Sequence, residues 1–505
     1  MTRSGTTLAS EKLVSSIEDK LWAAADKLRG SIDASKYKNI VLGIIFLKYI
    51  SDRFEKRYQE LIAEGDGFEN DRDEYERFNV FYVPEKARWE FIVQNATKPS
   101  IGQIIDEAFI AIEKENKNLA GVLPKIYSGT DIDQRRVGEV VLVFENADTS
   151  LIEEDALGRV YEYFLGKFAF MLGAGGGEYY TPSGVVKLLV EMIEPFEGTI
   201  YDPCCGSGGM FVQANKFVKA HGGNSFELSI YGQELNAETR RLATMNLAIR
   251  GIEANLGQTH EDTFHADQFK DEKFDYILAN PPFNISDWGQ ESLVSDLRWK
   301  WGVPTKNNAN YAWLSHMLSK LKPSKGVAGI VLANGSLSSQ VTGEGNIRSQ
   351  FIDEDLVDCI VALPDKLFYT TGISVCLWFL RRGKKRRNEV LFIDARDLGD
   401  MVDRKLRELT DENISVIAST YHKWLENDGF QDVVGFCKSA STSEIQKHEY
   451  VLTPGRYVGV KEITDEEPFA EKMPKLVAEL SNLMKNSSLL DEKIKKSLGA
   501  IGYEF

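Results

Sequence analysis

The sequence predicts an α/β fold: a doubly wound, mostly parallel sheet of seven strands, preceded by an all-α N-terminal domain and followed by a helical C-terminal tail. Three observations carry this. From about residue 199, short apolar runs alternate with segments of helical periodicity, the pattern of parallel strands joined by crossover helices. Before residue 150 apolar residues recur at helical spacing, with no strand pattern. After residue 461 one amphipathic stretch remains. A chain of 505 residues is too long for one simple core, and the expected boundaries are 1–150, 151–460 and 461–505.

In the N-terminal part, Leu13, Ile17, Leu21 and Leu28 fall at helical spacing, and 40–62 continues that pattern. A charged loop, "EGDGFENDRDEYERF" (64–78), precedes "YVPEKARWEFI" (82–92) and a further helical run near 101–115. This part reads as a helical accessory domain. Two helices follow, "DALGRVYEYFLGKFA" and "TPSGVVKLLVEMI", with the glycine-rich "GAGGGEYY" (173–180) between them. The strands are read from "TIYDPCC", "LSIYGQE", "FDYILANPP", "VAGIVLAN", "VDCIVALP" and "VCLWFLRR". In the tail, Leu476, Leu480, Leu483, Leu490 and Ile494 share one a/d seam, interrupted by Ser487. Such a seam wants a partner surface, or else packs back on its own domain.

Composition limits the possibilities. Net charge is −16 and the pI about 5.1, so this chain has no strongly basic character with which to grip nucleic acid unaided. Either nucleic acid is not the substrate or a partner supplies much of the grip. The five cysteines, Cys204, Cys205, Cys359, Cys376 and Cys437, lack zinc spacing and fit a reducing cytoplasm. Six histidines without paired spacing imply no metal. The longest apolar stretch, "IVLGIIFLKYI" (40–50), is too short to span a bilayer, carries Lys48, and reads as a buried helix, so no membrane role is expected.

The chemistry lies in four elements, one per successive βα unit. "YDPCCGSGGM" (201–210) ends a strand at Asp202, and Gly206, Ser207, Gly208 and Gly209 open a helix. Glycines let a backbone turn sharply and approach a ligand. The spacing is neither G-x-G-x-x-G nor a phosphate loop, so pyrophosphate is not the ligand it suggests. Glu234, at the end of the next strand, is placed to hold ribose hydroxyls. Asp262 in "EDTF" can accept a hydrogen bond from an adenine amino group. "NPPF" (280–283) then ends an apolar strand in a polar amide. An aromatic amine is a poor nucleophile because its lone pair is delocalised. Two acceptors around its N–H bonds, the Asn280 side-chain oxygen and the Pro281 carbonyl, pull it toward tetrahedral geometry. Pro281 and Pro282 hold that carbonyl and offer no competing N–H. Phe283, read as standing at a surface, offers a face on which a flipped base can stack, worth ~1–3 kcal/mol. A strand ending in a proline turn explains "NPP" alone, but not the ordered set.

The order "GEYYTPSGVV", "DPCCGSGGMF", "YGQE", "EDTF", "NPPF" resembles that of S-adenosylmethionine-dependent N6-adenine DNA methyltransferases, and among them the modification subunits of type I restriction-modification systems. "LPDKLFYTTGISVCLWFL" (363–380) and "YVLTPGRYVG" (450–459) support the likeness, which covers nearly the whole chain. The resemblance implies that Glu178, Tyr179, Tyr180, Thr181, Pro182 and Ser183 wrap the methionine end of S-adenosyl-L-methionine, with the start of the "TPSGVV" helix facing its carboxylate. It implies that Asp202, Gly206, Ser207, Gly208 and Gly209 line the loop beneath, that Glu234 binds ribose, and that Asp262 binds the cofactor adenine. Glu261 stands where relatives often have Gly. Asn280, Pro281, Pro282 and Phe283 would handle a target adenine in double-stranded DNA. The sheet and tail leave no block of residues for reading bases, so the resemblance implies a specificity subunit carrying two copies of this chain, with a restriction subunit as a further partner. The alternatives are a non-catalytic, cofactor-binding scaffold, or an enzyme acting on RNA or a protein glutamine.

Overall fold

The computed structural model describes residues 18–26, 29–30, 32–146, 156–172, 181–341, 343–368, 373–404, 406–460 and 469–500. Leu13, Ile17 and Leu28 lie outside them, as does 173–180 with Glu178, Tyr179 and Tyr180.

The strands are β1 (Gly198–Asp202), β2 (Leu228–Gly232), β3 (Ala254–Asn255), β4 (Tyr276–Ala279), β5 (Val327–Ala333), β6 (Val357–Ala362), β7 (Val375–Arg381), β8 (Glu389–Asp394), a ribbon of β9 (Asp400–Met401) with β10 (Arg407–Glu408), and β11 (Cys437–Ser441). The main sheet runs β11-β8-β6-β7-β5-β4-β1-β2-β3. It has nine strands, not the seven expected. The strands named from the sequence leave out β8 and both edges: β3 is two residues long, and β11, "CKSAS", carries no apolar run to mark it. Pairing is parallel except around β7, which runs antiparallel to β5 and β6, and at the β11 edge.

Alternation along the strands explains the layers. Ile200 faces one side of the sheet and Tyr201 the other; Leu278 faces the first, and Ile277 and Ala279 the second. The helices Ser183–Ile193, Gly209–Ala220 and Asp411–Glu426 bury their apolar stripes on the first side. Asn310–Lys320 and Glu344–Asp353 cover the second. Both sides being covered, the central strands read as continuous apolar runs, β5 being buried at all seven positions.

A separate helical core lies N-terminal to the sheet. Its axis is the helix Ala34–Glu64, which starts where the Asp33 carboxylate accepts the Ser35 and Lys36 amides and stops at left-handed Gly65. Ile40–Phe46, Ile101, Phe109, Val141 and Phe144 fill this core. So do Val160, Tyr161, Phe164 and Phe168 from the helix Ala156–Leu172, and Leu242, Met245 and Ile249 from around the helix Ala237–Ala248.

Residues Gly459–Phe505 form a second compact unit. Its described part is the helix Phe469–Ala500, in which Leu476, Leu480, Leu483, Leu490 and Ile494 are each about half exposed. Among the described residues no helix is long and apolar enough to cross a membrane.

Candidate functional site

Strand order reverses between β1 and β4: the chain goes from β1 outward to β2 and β3, then returns to lay β4 on the other side of β1. The carboxyl ends at such a switch point diverge and leave a crevice. Register fixes what stands there. Ile200 pairs with Tyr276 and Tyr201 with Ile277, so the chain leaves both strands at the same end of the sheet, at Asp202 and just after Ala279.

The crevice is a cavity that brings together Thr181, Ser183, Asp202, Gly206, Ser207, Gly209 and Asn280 of the expected residues. It also takes in Glu162, Cys204, Cys205, Met210 and Asn246, which sequence reading missed. Asn246 left a trace: it is a buried amide on the apolar stripe of its helix. Glu162 left none. Glu234, Asp262, Pro281 and Phe283 do not line this cavity.

The glycine loop is held from several directions. Gly206 and Gly208 have φ of +54° and +79°, in the left-handed region where a side chain is strained. A Cβ at Gly206 or Gly209 would meet nothing within 4 Å, so the loop leaves open space above it. The Gly206 amide donates to Glu234 Oε2 (3.0 Å) and the Asn236 amide to Glu234 Oε1 (2.8 Å), which fixes the Glu234 carboxylate beside the loop. The Glu261 amide donates to the Glu234 carbonyl (3.1 Å), bringing the Asp262 loop alongside. Asp262 accepts the Phe264 amide (2.9 Å) and meets His265 Nδ1 at 2.6 Å. The helix Ser183–Ile193 begins at Pro182 with no side-chain cap on its first turn.

Asp202 is buried, and burial pushes its carboxyl up to about 7, against the Cys204 amide and thiol that donate to it. Burial likewise raises the Cys204 and Cys205 thiols well above their ordinary range, so neither is a ready nucleophile.

Asn280 follows β4 and is nearly buried. Its Nδ2 donates to the Thr181 hydroxyl oxygen at 2.8 Å, while its Oδ1 is buried with no hydrogen-bond partner. A buried acceptor left bare costs about 1–3 kcal/mol unless something is meant to fill it. Phe283 corrects the sequence reading. It is buried, with its ring edge-on to Phe368 at 5.8 Å, and does not stand at a surface. Asn284, the next residue, has φ +55°, so the chain turns sharply after Phe283.

The profile of the N-6 DNA Methylase family matches residues 152–466. The chain belongs to the N-6 DNA methylase family. The HsdM N-terminal domain profile matches residues 17–144. This methylase is 47% identical to the type I restriction enzyme HindI methylase subunit of Haemophilus influenzae, over 84% of this chain and the whole of that protein. It is 39% identical to the MjaIX methylase subunit of Methanocaldococcus jannaschii, over 97% of this chain and 92% of the relative. Its fold is similar to the crystal structure of a type I methyltransferase subunit from Streptococcus thermophilus, with a TM-score of 0.76 and 26% identity, over 88% of this chain and 99% of that one. The methylase is therefore a type I modification subunit acting on N6 of adenine in DNA, and the scaffold, RNA and glutamine readings fall away.

Proposed function

We propose that this methylase binds S-adenosyl-L-methionine in the crevice between β1 and β4 and modifies adenine in double-stranded DNA at sites chosen by a specificity subunit. The observation that carries this is the Asn280 amide, whose nitrogen is engaged by Thr181 and whose oxygen is buried and bare. The residues fit a nucleoside cofactor: open space above Gly206 and Gly209, an acid at the end of β1, and carboxylates after β2 and β3. Glu162, Thr181, Ser183, Asp202 and Ser207 would hold its amino-acid end, Glu234 its ribose and Asp262 its adenine. When bound, the cofactor supplies a methyl group on a positively charged sulfur.

The protein's own work is on the substrate amine. A target adenine leaves the duplex at a cost of a few kcal/mol. Its two N6–H bonds point at Asn280 Oδ1 and the Pro281 carbonyl. Both acceptors draw the lone pair out of ring conjugation, and Pro282 offers no amide to compete with them. Phe283, packed edge-on against Phe368, backs this strand end from the core, and would have to turn outward to stack on the base. A rigid strand end keeps the geometry within the tolerance that catalysis requires.

The tail seam would dock helices of the specificity subunit, with two copies of this chain per specificity subunit and a restriction subunit joining the assembly in the cytoplasm. The test is tritium transfer from labelled S-adenosylmethionine to duplex DNA by the chain alone, by the chain with its specificity subunit, and by that pair carrying Asn280→Ala. Label in N6-methyladenine for the intact pair only is the expected result. Label with the chain alone would overturn the outsourced recognition, and equal label with Asn280→Ala would overturn the site.

A further inference from the structure

Behind the glycine loop lies a hydrogen-bonded hub, two of whose members, Glu162 and Asn246, also line the cavity. Arg250 follows the helix Ala237–Ala248, and only 5% of its side chain is exposed. One guanidinium nitrogen donates to the Asn246 carbonyl (3.0 Å) and to Asn246 Oδ1. The other donates to the Gly158 carbonyl (2.6 Å) and to Glu162 Oε2 (3.1 Å). Lys216, on the helix that the glycine loop opens, donates to the same Glu162 oxygen at 3.0 Å. Asn246 Nδ2 then donates to the Ser207 carbonyl at 2.7 Å.

The chemistry leaves one orientation for Asn246. Only its NH2 can satisfy a carbonyl, and only its oxygen can accept from a guanidinium, so the amide is locked at both ends. Glu162 sits on the helix Ala156–Leu172, whose Val160, Tyr161 and Phe164 belong to the N-terminal helical core. A continuous path therefore runs from that core through Gly158 and Glu162 to Arg250, then Asn246, then the Ser207 carbonyl in the loop.

We propose that Arg250 and Asn246 are positioning residues that let the N-terminal helical layer set the glycine loop for cofactor binding. The inference deepens the cofactor reading given above and rests on it. Beyond the direct contact assigned to Glu162, it gives the helical layer a second role at the cofactor site, holding the loop through Arg250 and Asn246.

The test uses the full chain, with S-adenosylhomocysteine as the calorimetric probe, and hydrogen exchange at the Gly206 and Gly208 amides without ligand. Asn246→Ala removes the donor to Ser207. It is expected to weaken probe affinity about tenfold and to speed loop exchange about tenfold, the scale of one hydrogen bond coupled to a charge. Arg250→Lys keeps the charge but not the fork, and should give a smaller loss in the same direction. Arg348→Lys is the control for simple destabilisation. Arg348 is a fully buried arginine, bonded to Tyr311, Ser339 and Tyr450, and its replacement should lower the melting temperature without changing probe affinity or loop exchange. Parental affinity and exchange in Asn246→Ala and Arg250→Lys would overturn the proposal, as would equal losses in Arg348→Lys. If the unaltered chain fails to bind the probe, the cofactor reading itself falls, and exchange at the loop amides still decides whether the hub positions it.

Discussion

The Asn280 amide nitrogen donates to the Thr181 hydroxyl oxygen at 2.8 Å, and the two residues are 99 positions apart. One comes from the end of β4, the other from just before the helix Ser183–Ile193. The bond ties the group that would polarise the substrate amine to the segment on the cofactor side. Thr181→Val keeps the shape and removes the acceptor. It should lower kcat about tenfold in the assembled enzyme, while Asn280→Ala should cost about a hundredfold or more. Because both act through one amide, the double variant should be no worse than Asn280→Ala alone. Steady-state methylation of a duplex reads all three, and strictly additive losses would mean that Thr181 acts elsewhere.

Asp202 predicts a pH dependence. Its carboxyl is raised by burial from an ordinary 3.8 to about 7. Between those values the folded chain holds a proton that the unfolded chain has released, so this group's contribution to stability falls as pH rises from about 4 to 7. A cationic group bound beside Asp202 favours the charged carboxylate, so ligand affinity should rise across the same upper window. Calorimetry with S-adenosylhomocysteine at pH 6 and pH 8 should show tighter binding at pH 8. Asp202→Asn should flatten that difference and also the slope of melting temperature with pH.

Two neighbouring glycines should separate stability from binding. Gly208 has φ +79°, and a Cβ there would lie 3.4 Å from Leu247. Gly208→Ala should destabilise the ligand-free chain by roughly 1–2 kcal/mol, measured by denaturant unfolding. Gly209 has no such φ, and a Cβ there meets nothing within 4 Å. Gly209→Ala should leave stability intact, since alanine is the better helix former, yet weaken binding of a ligand seated over the loop.

The tail offers a fourth test. Leu480 and Leu483 are 57% and 59% exposed, on the seam of the helix Phe469–Ala500. Changing both to Asp should leave cofactor affinity and the melting of the Met1–Val458 unit unchanged while abolishing co-purification with the specificity subunit. Retained co-purification would assign the contact to another surface.

The elements of the candidate site were legible as motifs because each is contiguous and each closes a strand: Asp202 ends β1, Glu234 follows β2, and Asn280 follows β4. The doubly wound sheet was legible because its central strands are buried on both faces. What escaped depends on distance or on a single dihedral. Glu162 and Arg250 meet from 88 positions apart, a proximity that no local pattern announces. Phe283 was misplaced because its burial rests on packing against Phe368, far along the chain, which the "NPPF" stretch does not announce. The edges β3 and β11 were unreadable for want of apolar alternation.

The helix Ala156–Leu172 carries a consequence for how the molecule can be divided. The matched regions part between residues 144 and 152. Packing ignores that seam, since Val160, Tyr161, Phe164 and Phe168, together with Leu242, Met245 and Ile249, fill the same core as Ile40–Phe46. A catalytic fragment cut at residue 151 would turn this shared wall outward as an adhesive apolar face, and its yield would be limited by aggregation rather than by any defect in the sheet. Anyone wanting a minimal methylase would do better to repaint those seven side chains with polar ones than to move the cut.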